Sequence, residues 1–328
     1  MAVKTIVETI RDTLAEEMAR DERVVVLGED VAAKGGVFKA TDGLLGRFGD
    51  DRVIDTPLGE DGIVGVAIGA ALNGLRPVAE IQFADFIYPA MDQIISEAAR
   101  MRYRTNGALG CPLVIRAPYG GGVHGALYHS QSVEAFFFHV PGLKICAPAT
   151  PADAKGLLTA AIRDDDPVLF FEHKRLYRSI KAEVAAGELV VPIGQADLKR
   201  RGDDLSIITY GAMLHLALEA ADQLAQDDRI AVEVLDLRSL LPLDREAIAT
   251  TVHKTSRALI LHEDTRTGGV GAEVAAFLAE ELFDDLDAPI VRLTGPDVPA
   301  MPYNHALEQA FLPRLDDVLA AVRRLAAF

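Results

Sequence analysis

Tryptophan is absent from the 328 residues, aromatic side chains make up only 6%, and cysteine occurs twice. Cys111 and Cys146 are far apart and stand outside any Cys-x-x-Cys pair, which suits a reducing cytosol, and the length excludes a miniature disulfide scaffold. Basic residues are outnumbered: 33 Lys and Arg against 49 Asp and Glu leave a net charge of −16. That field repels phosphate backbones and anionic headgroups, which argues against nucleic acid as a ligand. Long apolar runs are missing as well. The stretch from Gly62 to Leu75, closed by Asp61 and Arg76, falls short of the roughly 18 residues a membrane helix needs. The N-terminal MAVKTIVETIRDTLAEEM has an amphipathic period but no apolar block or small-residue cleavage site. It therefore predicts no secretory or transit signal and a cytoplasmic location.

What the chain does have is apolar content, at 50% hydrophobic residues, and enough length for two domains, each with its own core. From Lys4 to Glu172, helix-like stretches alternate with β-branched runs at Val24–Leu27, Arg52–Ile54, Pro77–Ile81, Leu113–Ala117, Leu143–Ala147 and Val168–Glu172. The alternation predicts an α/β fold with a mostly parallel sheet covered on both faces. The pattern lapses between Lys174 and Asp204, then restarts at Leu205–Tyr210 and continues through Ala231–Leu235, Ala258–His262 and Ile290–Leu293. A boundary near Gly187 divides two doubly wound domains, 1–186 and 187–328. Leu315, Val318, Leu319, Val322 and Leu325 close the chain at the spacing of one buried helix face.

Three stretches are candidates for chemistry. Asp55-Thr56-Pro57-Leu58-Gly59-Glu60-Asp61-Gly62 reads as a strand end, a turn and a helix start. The helix that follows is apolar on every side and rich in small residues, which calls for burial, with glycines that let another backbone come close at a subunit interface. Beside it, Glu60 is either a partner for the helix N-terminal amides or a desolvated carboxyl with a raised pKa. The second stretch, His124-Gly125-Ala126-Leu127-Tyr128-His129-Ser130-Gln131-Ser132, follows a triple glycine that reads as a bend. Either histidine can move a proton near neutral pH. They share no helix face, and no Cys or carboxylate stands beside them at ligand spacing, which argues against zinc. The third, His262-Glu263-Asp264 followed by Gly268-Gly269-Val270-Gly271, has the strand, turn and helix context of a dinucleotide fingerprint. Val274 stands where the third glycine belongs, so a nicotinamide dehydrogenase is the rival reading. In Arg163-Asp164-Asp165-Asp166-Pro167, acids at a helix end are either solvated or joined by a cation.

Six motifs carry a resemblance over almost the whole chain: LGEDV at Leu27–Val31, DTPLGEDGIVG at Asp55–Gly65, AEIQFADFIYPAMDQ at Ala79–Gln93, HGALYHSQS at His124–Ser132, LDLRSLLPLD at Leu235–Asp244 and HEDTRTGGVGAE at His262–Glu273. Together they resemble the beta subunit of the thiamine-diphosphate-dependent decarboxylating component of 2-oxoacid dehydrogenase complexes. The implied fold is a transketolase-like pyrimidine-binding domain followed by a transketolase C-terminal-like domain. The wording of AEIQFADFIYPAMDQ, HGALYHSQSVEAFF and FFEHKRLYR is closer to branched-chain members than to pyruvate members. By this resemblance Glu60 hydrogen-bonds the aminopyrimidine ring nitrogen of the cofactor, Phe86 stacks on the ring, and Leu58 and Gln82 line it. His129 faces the reacting carbon and assists either protonation or acyl transfer to a lipoyl group. Potassium would be held by carbonyls near Leu113, Ala161, Ile162, Asp164 and Asp166.

One expected motif is missing. Gly28-Glu29-Asp30 and Gly49-Asp50-Asp51 lack the continuation of the Gly-Asp-Gly…Asn motif that holds magnesium and the diphosphate. The resemblance therefore implies an alpha subunit that supplies this half, two alphas with two betas, and beta–beta packing through the second domain. The implied further partners are the lipoyl domain and the peripheral subunit-binding domain of an acyltransferase core. The implied reaction is oxidative decarboxylation of a branched-chain 2-oxoacid with reductive acylation of lipoamide, with pyruvate or acetoin as the nearest alternative substrates.

Overall fold

The β-branched runs form strands, and the helical stretches between them pack back onto those strands. In the computed structural model, which describes residues 2–328, they assemble into two units. The first reaches to Tyr119 and resumes over Phe136–Ile193; the second comprises Gly120–Ala135 and Gly194–Phe328.

The first unit contains β1 (Ala2–Thr5), α1 (Ile6–Arg20), β2 (Val24–Gly28), α2 (Leu44–Phe48), β3 (Val53–Asp55), α3 (Glu60–Leu72), β4 (Arg76–Glu80), α4 (Met101–Arg104) and β5 (Val114–Tyr119). After α5 (Glu134–Phe138) it continues with β6 (Lys144–Cys146), α6 (Pro151–Arg163), β7 (Val168–His173), α7 (Leu176–Ser179) and β8 (Lys181–Val184). Helix α1 starts at a capping box, in which the Glu8 amide donates to the Thr5 hydroxyl while the Thr5 amide donates to the Glu8 carboxylate. Ile6, Ile10, Leu14 and Met18 form its buried face. The six central strands run parallel in the order β6–β7–β5–β4–β2–β3. From β2 the chain moves to β3 on one side and then returns through α3 to β4 on the other. The strand order thus reverses at β2 and β4, and in a sheet of this kind ligands bind beyond the carboxyl ends of strands at such a reversal.

A buried ion triad ties the middle of this sheet together. Arg116 on β5, fully buried, donates from Nε and Nη2 to the two carboxylate oxygens of Glu172 on β7, at 2.6 and 2.7 Å, and from Nη1 to Glu80 on β4 at 2.6 Å. No local signal announces it, because the three residues are far apart in the chain and sit in runs that otherwise read as apolar strands.

The second unit contains β9 (Asp197–Arg200), β10 (Leu205–Thr209), α8 (Met213–Asp227), β11 (Val232–Asp236), β12 (Ser239–Leu241), α9 (Arg245–Thr255), β13 (Ala258–Thr265), α10 (Val270–Glu281), β14 (Val291–Gly295), α11 (His305–Phe311) and α12 (Leu315–Ala326). Its sheet order is β14–β13–β10–β11–β9, parallel except for β9. In α12 the expected apolar stripe is buried at Val318, Leu319, Val322 and Leu325. Among the described residues no helix is long and apolar enough to cross a membrane.

Candidate active site

Four of the residues singled out from the sequence follow the carboxyl ends of β3 and β4, the two strands that flank β2 in the first unit. Glu60 opens α3 just beyond β3, Leu58 lies in the turn before it, and Gln82 and Phe86 follow β4. Glu29, directly after β2, joins them. The Asp55 carboxylate at the end of β3 accepts from the amides of Ala32 at 2.7 Å and Ala33 at 3.2 Å, which fixes the loop that follows β2. Burial, reinforced by the negative charge of Glu60, pushes the Glu29 carboxyl above the usual carboxylate range. Glu29 Oε1 and the Thr56 hydroxyl are both buried without a hydrogen-bond partner within this chain. Phe86 is half-buried and continues a run of aromatic edges, with Phe86 to Phe83 at 5.8 Å and Phe83 to Phe38 at 5.3 Å between ring centroids. Leu58 is 83% exposed.

Helix α3 only partly meets the burial its composition calls for. Ile63, Val64, Ala67, Ile68 and Ala71 are buried, but Gly62 and Val66 face outward. A Cβ placed on Gly62 or Gly69 would meet nothing within 4 Å. The packing of this chain therefore does not require either glycine, although glycine in a helix interior costs about 1 kcal/mol relative to alanine.

His129 lies in the loop of the second unit, half-buried after a short turn over Ala126–Tyr128. Gly120 and Gly122 take positive φ values of 87° and 76° and make the expected bend. Gly125 permits a close approach, since a Cβ there would lie 2.7 Å from that of His129. Two carboxylates from elsewhere in this unit anchor the loop. Glu263 accepts from the Gly121 amide at 2.8 Å and the Ser132 hydroxyl at 3.3 Å, and Glu308 accepts from the amides of Gly122 at 3.0 Å and His124 at 3.1 Å. Sequence reasoning missed both anchors. Glu263 stood inside a motif in which no role was assigned to it, and Glu308 had no local motif.

That fingerprint forms the strand, turn and helix start anticipated for it, but its glycines serve another purpose. A Cβ at Gly271 would come within 2.6 Å of the His262 imidazole and one at Gly269 within 2.8 Å, and the Gly271 amide donates to His262 Nε2 at 3.3 Å. The ring fills the place where the rival reading needs a diphosphate. Burial holds His262 neutral, with its pKa lowered to about 4. Glu134, fully buried, accepts from the Tyr210 hydroxyl at 2.8 Å. Burial, with the charge of Asp264 adding to it, raises the Glu134 carboxyl well above its ordinary range, and burial raises Asp264 to about 6.

At the end of α6, the residues named for potassium have partners within the chain. Arg76 donates to the carbonyls of Ile162 at 3.1 Å and Asp164 at 2.8 Å, Lys144 binds the Asp164 carboxylate at 2.6 Å, and Arg102 binds Asp166 at 2.6 Å. The Leu113 carbonyl accepts from the Val168 amide at 2.9 Å, and that of Ala161 accepts from the Asp164 amide at 3.3 Å.

The sequence matches the family described as "Transketolase, pyrimidine binding domain" over residues 3–180 and "Transketolase, C-terminal domain" over 194–318. Over the full length of both chains it is 60% identical to the 2-oxoisovalerate dehydrogenase subunit beta of Bacillus subtilis (strain 168) and 48% identical to the pyruvate dehydrogenase E1 component subunit beta of the same organism. The chain belongs to the 2-oxoacid dehydrogenase beta-subunit family. Its fold is the transketolase-like two-domain α/β fold. A solved split-gene transketolase, described as an inactive beta4 tetramer, is 26% identical and superposes with a TM-score of 0.79, covering 99% of this beta subunit and 98% of that chain.

Proposed function

We propose that this beta subunit forms part of a thiamine-diphosphate-dependent dehydrogenase acting on branched-chain 2-oxoacids, with pyruvate as the nearest alternative. The observation that carries the reading is the convergence of Glu29, Glu60, Gln82 and Phe86 beyond β2, β3 and β4, where the strand order reverses. The 60% identity to a 2-oxoisovalerate dehydrogenase beta subunit, against 48% to a pyruvate dehydrogenase one, supports the choice of substrate. We place the domain division at 186/187, between the two family matches.

The residues present fit the aminopyrimidine half of the cofactor. They include orphaned buried oxygens on Glu29 and Thr56, a carboxylate at the start of α3, and the half-buried Phe86 ring. When bound, thiamine diphosphate would supply a nucleophilic carbon and an electron sink for the pair left behind as carbon dioxide departs. Glu60 holds a proton at the ring nitrogen, while Phe86 orients the ring by stacking and Leu58 and Gln82 close its edge. His129 carries a proton in the lipoyl-acylation step. Magnesium and diphosphate fall to an alpha subunit, which the exposed Leu58 and the outward Gly62–Val66–Gly69 face of α3 suit as a contact. The resemblance also assigns a second beta subunit and an acyltransferase core as partners. In the second unit, Phe283, Phe328, Asp284 and Asp287 line an apolar cleft with an acidic rim, which suits a basic docking domain.

The test is co-purification with the product of the neighbouring gene, followed by an assay of a 2-oxoacid panel with thiamine diphosphate and magnesium. The 2-oxo derivatives of valine, leucine and isoleucine are expected to show the highest kcat/KM. A preference for pyruvate moves the assignment to the alternative, and no turnover with any 2-oxoacid overturns it.

A further inference from the structure

In the sequence, His124 has no metal-ligating neighbour at useful spacing, but the fold supplies two. His124 in the loop, and His305 and Glu308 on α11, each offer one ligand atom, and these atoms lie within 4.8 Å of one another. His305 and Glu308 stand three apart and so share one helix face. Glu308 lies 184 positions from His124.

The Glu308 carboxylate is fixed from below. Its side chain is fully buried, and Oε1 accepts from the Gly122 and His124 amides. Oε2 is buried without a hydrogen bond of acceptable geometry and faces His124 Nδ1 at 2.5 Å. One anionic oxygen is thus aimed at the cluster from the protein side. Opposite it, the two imidazoles lie at the surface with ring centroids 5.0 Å apart, His124 being half-exposed and His305 exposed. His124 sits at φ +56°, a region that L-residues rarely adopt, and the hydrogen bond its amide donates to Glu308 holds it there.

Two nitrogens and one carboxylate oxygen with open positions on the solvent side form the donor set of a borderline-soft cation. Zinc–nitrogen and zinc–oxygen bonds of about 2.0–2.2 Å place any two ligand atoms at most about 4.4 Å apart. Tetrahedral coordination at these bond lengths sets neighbouring ligand atoms about 3.3 Å apart, so binding requires His124 to swing back from its present 2.5 Å contact with Glu308 and the exposed rings to rotate, while Glu308 stays in place. The geometry points to a binding site for one divalent first-row transition ion, zinc by its chemistry, held by His124, His305 and Glu308. A bound ion cross-links the loop that carries His129 to α11. The site takes nothing from the thiamine reading, and its test uses neither cofactor nor alpha subunit.

The experiment strips the full chain with a chelator and titrates it with zinc ions by calorimetry, using cobalt as a spectroscopic stand-in. His124→Ala and His305→Ala are suitable variants because both side chains are at the surface, and circular dichroism confirms their folding. The expected result is one ion per chain. Affinity should drop about tenfold or more in either variant, since loss of a ligand costs at least what loss of an outer-shell partner does. Intense cobalt d–d absorption should appear in the parent chain and vanish in His305→Ala. Absence of stoichiometric zinc uptake, or uptake equal in the parent chain and His305→Ala, overturns the site.

Discussion

The charge on Glu60 makes Glu29 hold its proton more tightly. Two acids beyond neighbouring strands thus share one electrostatic environment, and Glu60→Gln should change both. Decarboxylation by the reconstituted enzyme should fall about 100-fold or more, the range for loss of a positioned acid or base, with the heteromer still assembled in gel filtration. Glu29, relieved of the neighbouring charge, should titrate at lower pH in carboxyl-resolved NMR. Full activity in this variant removes Glu60 from its assigned role.

Replacing His129 with alanine should separate the two half-reactions. Reductive acylation of lipoyl domains should fall about 100-fold, while decarboxylation followed with an artificial electron acceptor suffers less. Equal loss in both assays means the imidazole serves the first step.

Gly69→Ala should push stability and assembly in opposite directions. Nothing in this chain meets the added methyl, so the isolated subunit should gain about 0.5–1 kcal/mol in urea denaturation. If the α3 face seats an alpha subunit, the same methyl should weaken association, measured by analytical ultracentrifugation. A more stable subunit with unchanged assembly moves the interface elsewhere.

Removing the cation from the buried triad leaves two carboxylates without compensation. Arg116→Met should therefore destabilise the first unit by about 3–5 kcal/mol, read from the shift in denaturation midpoint. Pairing it with Glu80→Gln and Glu172→Gln should recover part of the loss, because no buried charge then remains unpaired.

Asp264 and His262 make opposite contributions to pH dependence. Asp264 titrates at about 6 in the folded chain, against about 3.9 when unfolded. Its contribution to stability is present below pH 4 and is lost as pH rises through 6. His262 is lowered to about 4, so its contribution is present above about pH 6.5 and is lost as pH falls through 4. Asp264→Asn removes the first and keeps the second. Relative to the parent chain, the variant should gain stability between pH 4 and 6, measured as urea midpoints at several pH values. Parallel profiles would show that Asp264 is not desolvated.

The sequence made the parallel core legible because strands buried on both faces read as continuous β-branched runs, and those at Val24, Val168, Leu205 and Ala258 begin where the strands begin. The short pair β1–β8 and the edge strand β9 were not anticipated, since half-exposed strands such as Asp197–Arg200 carry mixed charge without a clear period. The Asp55–Gly62 turn announced itself through local signals. Glu263, Glu308 and Arg116 did not, because each acts on a residue brought near only by the fold. The glycines after His262 suggested a nucleotide, whereas the neighbouring ring accounts for them.

The segment 120–135 groups with the second unit although the strands on either side of it belong to the first. The polypeptide therefore passes between the units more than once, and no scission at a single peptide bond releases two fragments with intact contacts. An N-terminal fragment ending near residue 190 would retain His129 but lose the acids at 263 and 308 that pin its loop. Expressing the halves as independent proteins would thus need residues 120–135 excised from the first and joined to the second, rather than a stop codon.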